Sequence, residues 1–119
     1  MSRVVLVDTS VWIEHLKGKT EDLSKLGQDE DTELVTHPMV IAELALGGLA
    51  SDSEVMENLS MLRQIRTVSD SELMEFIDMR DIRGKGIGYV DANLLASCVL
   101  ERVELLTFDR KLNNLTKLI

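Results

Sequence analysis

The chain is expected to fold as a single α/β domain spanning residues 1–119, with a mostly parallel central sheet flanked by helices on both faces. Three observations point there. Short β-branched runs alternate along the chain with longer helix-forming segments. The first run, Val4-Val5-Leu6-Val7, is apolar on both faces, as suits a strand in the middle of a parallel sheet. At 119 residues and 45% hydrophobic content, the chain can close one core but has little room for a second.

The elements follow in order. The Val4–Val7 strand stops at Asp8, and a helix through Trp12, Ile13 and Leu16 runs until Gly18 breaks it. A polar stretch follows, and its acidic run Gln28-Asp29-Glu30-Asp31 reads as a solvated turn. Glu33–Thr36 forms a second strand. Pro38 then suits the first turn of a helix over Met39–Leu46, apolar almost all round and stopped by Gly47-Gly48. Ser51 with Glu54, and Ser69 with Glu72, have capping-box spacing and open helices over Val55–Leu62 and Leu73–Ile82, with a third strand at Ile65–Val68 between them. Arg83–Gly88 is a glycine-rich loop, Tyr89–Leu100 a helix, Glu104–Phe108 a strand, and a short helix follows Asp109.

Composition excludes several functions. The longest apolar runs, such as Val4–Val7 and Leu94–Ala96, fall far short of the roughly 18 residues that cross a bilayer, so no membrane span is expected. The opening Met-Ser-Arg lacks the pattern of a secretory leader, which places the protein in the cytoplasm. Cys98 is the one cysteine, so no internal disulfide forms, and its apolar neighbours make it a small buried hydrophobe. His15 and His37 stand apart, which argues against zinc and for capping or packing roles. The Gly84–Gly88 loop follows a helix, whereas a dinucleotide-binding fingerprint follows a strand. A net charge of -8 argues against nucleic acid unless some acids converge on a cation, which would reverse the local sign.

Four acids could do that. Asp8 and Asp109 each follow an apolar strand, so two parallel strands would bring both to one edge of the sheet, although each would also cap the helix after it. Glu43 is the one charge within Val40–Leu46, where it needs an exposed stripe, a partner or a metal. Asp91 lies in the first turn of the Tyr89 helix, where the helix dipole also favours an anion. Carboxylates about 4 Å apart repel by roughly 4 kcal/mol at an effective dielectric near 20, so a converging set calls for a cation. Mg²⁺ is the natural choice, with Mn²⁺ a possible substitute, because it takes oxygen ligands and retains waters.

In four places the chain resembles the PIN-domain ribonucleases, and in length and motif order their VapC toxin branch. Val7-Asp8-Thr9-Ser10-Val11-Trp12-Ile13 resembles the first-acid motif and Ala42-Glu43-Leu44-Ala45-Leu46-Gly47 the second. Gly88 to Ala96, centred on Asp91, resembles the third, and Leu105 to Leu112, containing Asp109, the fourth. The resemblance implies an endoribonuclease toxin in which Asp8 and Asp91 are the most direct Mg²⁺ ligands, while Glu43 and Asp109 complete the pocket. Ser10 and Thr107 are candidate hydroxyls beside it. It further implies an RNA substrate, a VapB-like antitoxin and a homodimer. An antitoxin helix could lie against the two early helices with Trp12 and Leu16 as contacts, and Arg80, Arg83 and Lys85 could guide RNA phosphates. Two alternatives remain: a binding module on the same fold whose acids are structural, and an aspartyl-phosphate receiver or phosphatase built on Asp8.

Overall fold

A computed structural model describes residues 2–118. The elements run β1 (Arg3–Val7), α1 (Thr9–Leu16), α2 (Asp22–Gln28), β2 (Thr32–Thr36), α3 (Pro38–Leu46), α4 (Glu54–Met61), β3 (Arg63–Gln64), α5 (Asp70–Arg80), α6 (Tyr89–Glu101), β4 (Glu104–Leu106) and α7 (Arg110–Leu118). The four strands are all parallel, in the order β3-β2-β1-β4. In β1, Val5 faces Leu34 on one side and Glu104 on the other, and Leu6 faces Val35 and Leu105. Consecutive residues of a strand point to opposite faces, so the near-complete burial of Val5, Leu6 and Val7 means that both faces of the sheet are covered.

Two apolar clusters form the core. The larger joins Val5, Leu6 and Val35 of the sheet to Val11, Val40, Leu59 and Leu94 from the helices. The smaller lies among α5, α6 and α7, around Phe76, Leu95, Leu112 and Leu115. Cys98 is buried in the larger cluster, as expected, and burial pushes its thiol up to about 12, with the charge of Asp8 adding to the effect.

Several expectations need correction. The polar stretch after Gly18 holds a helix that was not expected, Asp22–Gln28 (α2), which buries Leu23 against the core, while Asp29 to Asp31 form a turn as expected of the acidic run. Ser53, not Ser51, caps α4, its hydroxyl accepting from the Met56 amide at 3.2 Å. The third strand covers Arg63–Gln64 and not Ile65–Val68; Ile65 and Val68 are instead buried in the two clusters. Helix α3 is apolar in sequence but buries only Val40 and Leu44, leaving Leu46 88% exposed. The Ser69–Glu72 capping box is present with both of its reciprocal bonds.

The chain steps from β1 outward through β2 to β3 and then returns to place β4 on the other side of β1. The strand order therefore reverses between β1 and β4. In open parallel sheets the crevice beyond the carboxyl ends at such a reversal is where ligands bind.

Candidate metal centre

Asp8 lies at that crevice. The register that aligns Val7 with Leu106 carries the next residues of both strands to one edge, where the Asp8 amide donates to the Leu106 carbonyl at 2.9 Å. The Asp8 side chain is 4% exposed, and such a carboxylate needs partners. It has three. Oδ1 accepts from the Thr9 amide at 2.8 Å, while Oδ2 accepts from Ser10 Oγ at 2.9 Å and from Thr107 Oγ1 at 2.7 Å. The two hydroxyls are themselves placed by the fold, because the Phe108 amide donates to Ser10 Oγ and the Asp109 amide to Thr107 Oγ1, each at 3.1 Å.

Glu43 reaches the same region from α3. Its Oε1 accepts from Thr9 Oγ1 at 2.7 Å, so one residue holds the first acid through its amide and the second through its hydroxyl. Thr9 is the residue missed in the sequence reading; the signal was its hydroxyl directly after a strand-terminal Asp. Asp109 is exposed and caps α7, accepting from the Leu112 amide at 2.9 Å. Asp8 likewise caps α1, so capping and convergence turn out to be compatible.

Asp91, half-buried in the first turn of α6, reports the convergence electrostatically. Its carboxyl is pushed up to about 6, first by burial and then by the charges of Asp8, Asp109 and Glu43. Asp8, Glu43 and Asp109 thus all bear on Asp91, and a cation would relieve that repulsion. Among the described residues no three His, Cys, Asp or Glu side chains are close enough to grip one ion together. The donor set nevertheless fits a hard, hydrated cation held through one or two carboxylates and waters, and offers no sulfur or imidazole to a softer metal.

The histidines stay outside this centre. His37 is fully buried and caps α3, its Nδ1 accepting from the Met39 amide at 3.0 Å. A neutral ring that accepts at Nδ1 carries its proton on Nε2, which then donates to Ser97 Oγ at 3.1 Å. Burial holds the ring down at about 4. His15 packs edge-on against Trp12 with ring centroids 6.2 Å apart. Trp12 itself is in the core, so of the two proposed partner contacts only Leu16 is exposed. Leu16 and Ile13 line a groove of about 380 Å³ with Glu43, Leu44 and Leu49. Of the three basic residues singled out, Arg83 is held by Asp78, its Nε donating at 3.1 Å, while Arg80 and Lys85 are exposed.

A sequence profile of the PIN domain matches residues 5–118. The chain belongs to the PIN-domain family. This PIN domain is 43% identical over 97 residues to Ribonuclease VapC32 of Mycobacterium tuberculosis, a match covering 82% of the chain and 77% of that relative. Solved structures carry the same fold at lower identity. VapBC-1 from nontypeable Haemophilus influenzae superposes with a TM-score of 0.72 at 17% identity, covering 96% of this chain and 92% of that one. VapBC2 from Rickettsia felis, bound to a DNA fragment from the promoter, gives 0.64 at 18% identity, covering 93% and 92%. PIN ribonucleases are in general dependent on divalent metal, in keeping with the acidic centre of this PIN domain. No described helix is long and apolar enough to cross a membrane.

Proposed function

We propose that this PIN domain is a Mg²⁺-dependent endoribonuclease acting in the cytoplasm as the toxin of a toxin-antitoxin pair. The observation that carries this reading is the raised Asp91 carboxyl, which is perturbed jointly by Asp8, Asp109 and Glu43. The relationship to Ribonuclease VapC32 supports the substrate class. Asp8 and Asp91 would hold the ion most directly, with Glu43 and Asp109 completing the pocket, and Mn²⁺ would serve in its place. Bound there, the ion supplies Lewis acidity toward a phosphodiester and lowers the pKa of a coordinated water.

The chain's own residues prepare that chemistry. Ser10 and Thr107 both donate to Asp8 Oδ2, which fixes the plane of the carboxylate. Thr9 holds Oε1 of Glu43, leaving Oε2 to accept from water. Asp91 loses its proton near pH 6, so at neutral pH it is ready to bind a cation. The phosphoacceptor alternative is disfavoured, since such a site wants a lysine at the later strand end, where this chain has Thr107 bonded to Asp8. The joint effect of three acids on Asp91 supports the nuclease reading over the scaffold alternative, which would not require it.

The partner proposed is a VapB-like antitoxin, by analogy with the VapBC complexes that share the fold. An apolar helix face from it would suit the groove between α1 and α3, which runs past Glu43 and is lined by Ile13, Leu16 and Leu49. A homodimer of the toxin is part of the same proposal.

The test is cleavage of total cellular RNA by purified protein with and without Mg²⁺, alongside Asp8→Asn and Asp91→Asn, with the cut ends sequenced. Cuts that need the metal and vanish in both folded variants are expected. Undiminished cleavage by the variants, or none by antitoxin-free protein in Mg²⁺, would sink the proposal.

A further inference from the structure

The chain has four aromatic residues outside histidine, and they divide cleanly. Trp12 and Phe76 are buried at 6% and 7% exposure, whereas Tyr89 and Phe108 are 59% and 42% exposed. Each member of the exposed pair lies close in sequence to one of the four acids. Tyr89 stands two residues before Asp91, and Phe108 immediately before Asp109.

Both side chains line cavities rather than standing alone. Tyr89 borders a space of about 320 Å³ with an apolar wall of Ile77, Ile82 and Ala92. Its hydroxyl donates to Asp70 Oδ1 at 3.1 Å, tying the ring across the N-termini of α5 and α6. Phe108 borders a second space of about 390 Å³ with Ile13, Ser10 and Asp109, and its amide is anchored on Ser10 Oγ. Glu14 also lines this second cavity and would repel a phosphate, so the cavity suits a base and not backbone. Cations lie near the first. The Lys111 side chain rests over Gly86, whose missing Cβ would come 3.1 Å from Nζ, and Lys85 is the adjoining residue. Among the described residues neither lysine forms an ion pair, notable in a chain of net charge -8.

We propose that Tyr89 and Phe108 are base-stacking platforms near the acidic centre, taking unpaired bases of single-stranded RNA while Lys85 and Lys111 meet its backbone. The occupant rests on the nuclease reading; the platforms rest on their own exposure, anchoring and position. Stacking of a base on an aromatic ring tolerates any base identity, and phosphate contacts position a strand without reading it.

Two measurements test this. In the first, short single-stranded RNA carrying 2-aminopurine is titrated with protein in Ca²⁺ in place of Mg²⁺, with the strand checked as intact. Quenching by wild type, weakened in Tyr89→Ala and Phe108→Ala but retained in Tyr89→Phe, is expected. In the second, cleavage kinetics should show KM raised roughly tenfold by each alanine, with kcat little changed. Thermal melts confirm that these surface variants fold. Unaltered quenching and KM in both alanine variants would overturn the proposal, as would a Tyr89→Phe defect equal to that of Tyr89→Ala, which would assign Tyr89 to its bond with Asp70. If wild type cleaves nothing, the nuclease reading fails, and the quenching titration still decides the platforms by itself.

Discussion

Asp8 does two things with one carboxylate. Oδ1 satisfies the first amide of α1, and Oδ2 collects two hydroxyls that arrive from opposite ends of the chain. A capping aspartate is therefore a poor argument against a functional one, since the helix start that needs an acceptor is also where an electropositive edge attracts phosphates. His37 shows the contrasting case of a polar side chain kept for architecture alone. Its ring is held at about 4 in the fold, below the ordinary 6.5, so its contribution to stability is complete above pH 6.5 and is lost as pH falls toward 4. His37→Asn keeps an acceptor for the Met39 amide and removes the titrating ring. Urea midpoints from pH 7 to 4.5 should consequently fall less steeply in the variant than in wild type; equal slopes would mean that another group sets the acid limit.

At the scale of elements, the ends of helices separate competing readings most sharply. Ser53 caps α4 through the Met56 amide, so Ser53→Ala should cost about 1 kcal/mol, whereas Ser51→Ala should change stability by no more than a few tenths. Chemical denaturation of the two variants checks this directly; the reverse order would return the cap to Ser51. The misreading has a physical origin, because Ser51-Asp52-Ser53 offers several capping side chains in a row and Ser-x-x-Glu spacing favours the first. Helix α2 was hidden for a related reason: it buries one side chain, Leu23, and so leaves almost no apolar period to read. Two helix ends lacked any glycine signal, since α5 and α6 close on Asp81 and Arg102 at φ 53° and 58°. Where an element buries a full face, as β1 and α6 do, its position was legible to within a residue or two.

For the molecule as a whole, the proposed centre is a place where like charge accumulates and must be relieved. Asp91, at about 6 against an ordinary 3.8, favours the protonated fold, so its share of stability is largest below pH 4 and is lost as pH rises through 6. A bound cation should reverse that loss. Mg²⁺ at ten times its dissociation constant adds about 1.4 kcal/mol, which should raise the melting temperature by roughly 5 °C or more at pH 7.5. The gain should shrink at pH 5, where the proton competes, and disappear in an Asp8→Asn, Asp91→Asn double variant; a shift of equal size at both pH values would place the ion elsewhere. The four acids could be picked out in the sequence because each interrupts an apolar segment. Of their supports, Ser10 and Thr107 were candidates only through the resemblance and Thr9 was not singled out. The Thr107–Asp8 bond depends on the register of β1 against β4 and the Thr9–Glu43 bond on the packing of α1 against α3, neither of which is encoded locally.

The same alignment bears on when the protein becomes dangerous to the cell that makes it. Strand β1 is translated well before its partner β4, and the hydroxyl of Thr107 follows 99 positions after Asp8. A ribosome adding about 5–20 residues per second spends several seconds in between. During that time the nascent chain holds Asp8 without the strand that orients it, and a chain cut short before β4 never gains it. The nuclease proposed here would therefore stay harmless beside the messages and ribosomes around it until β4 has been synthesised, leaving an antitoxin made alongside it time to be waiting.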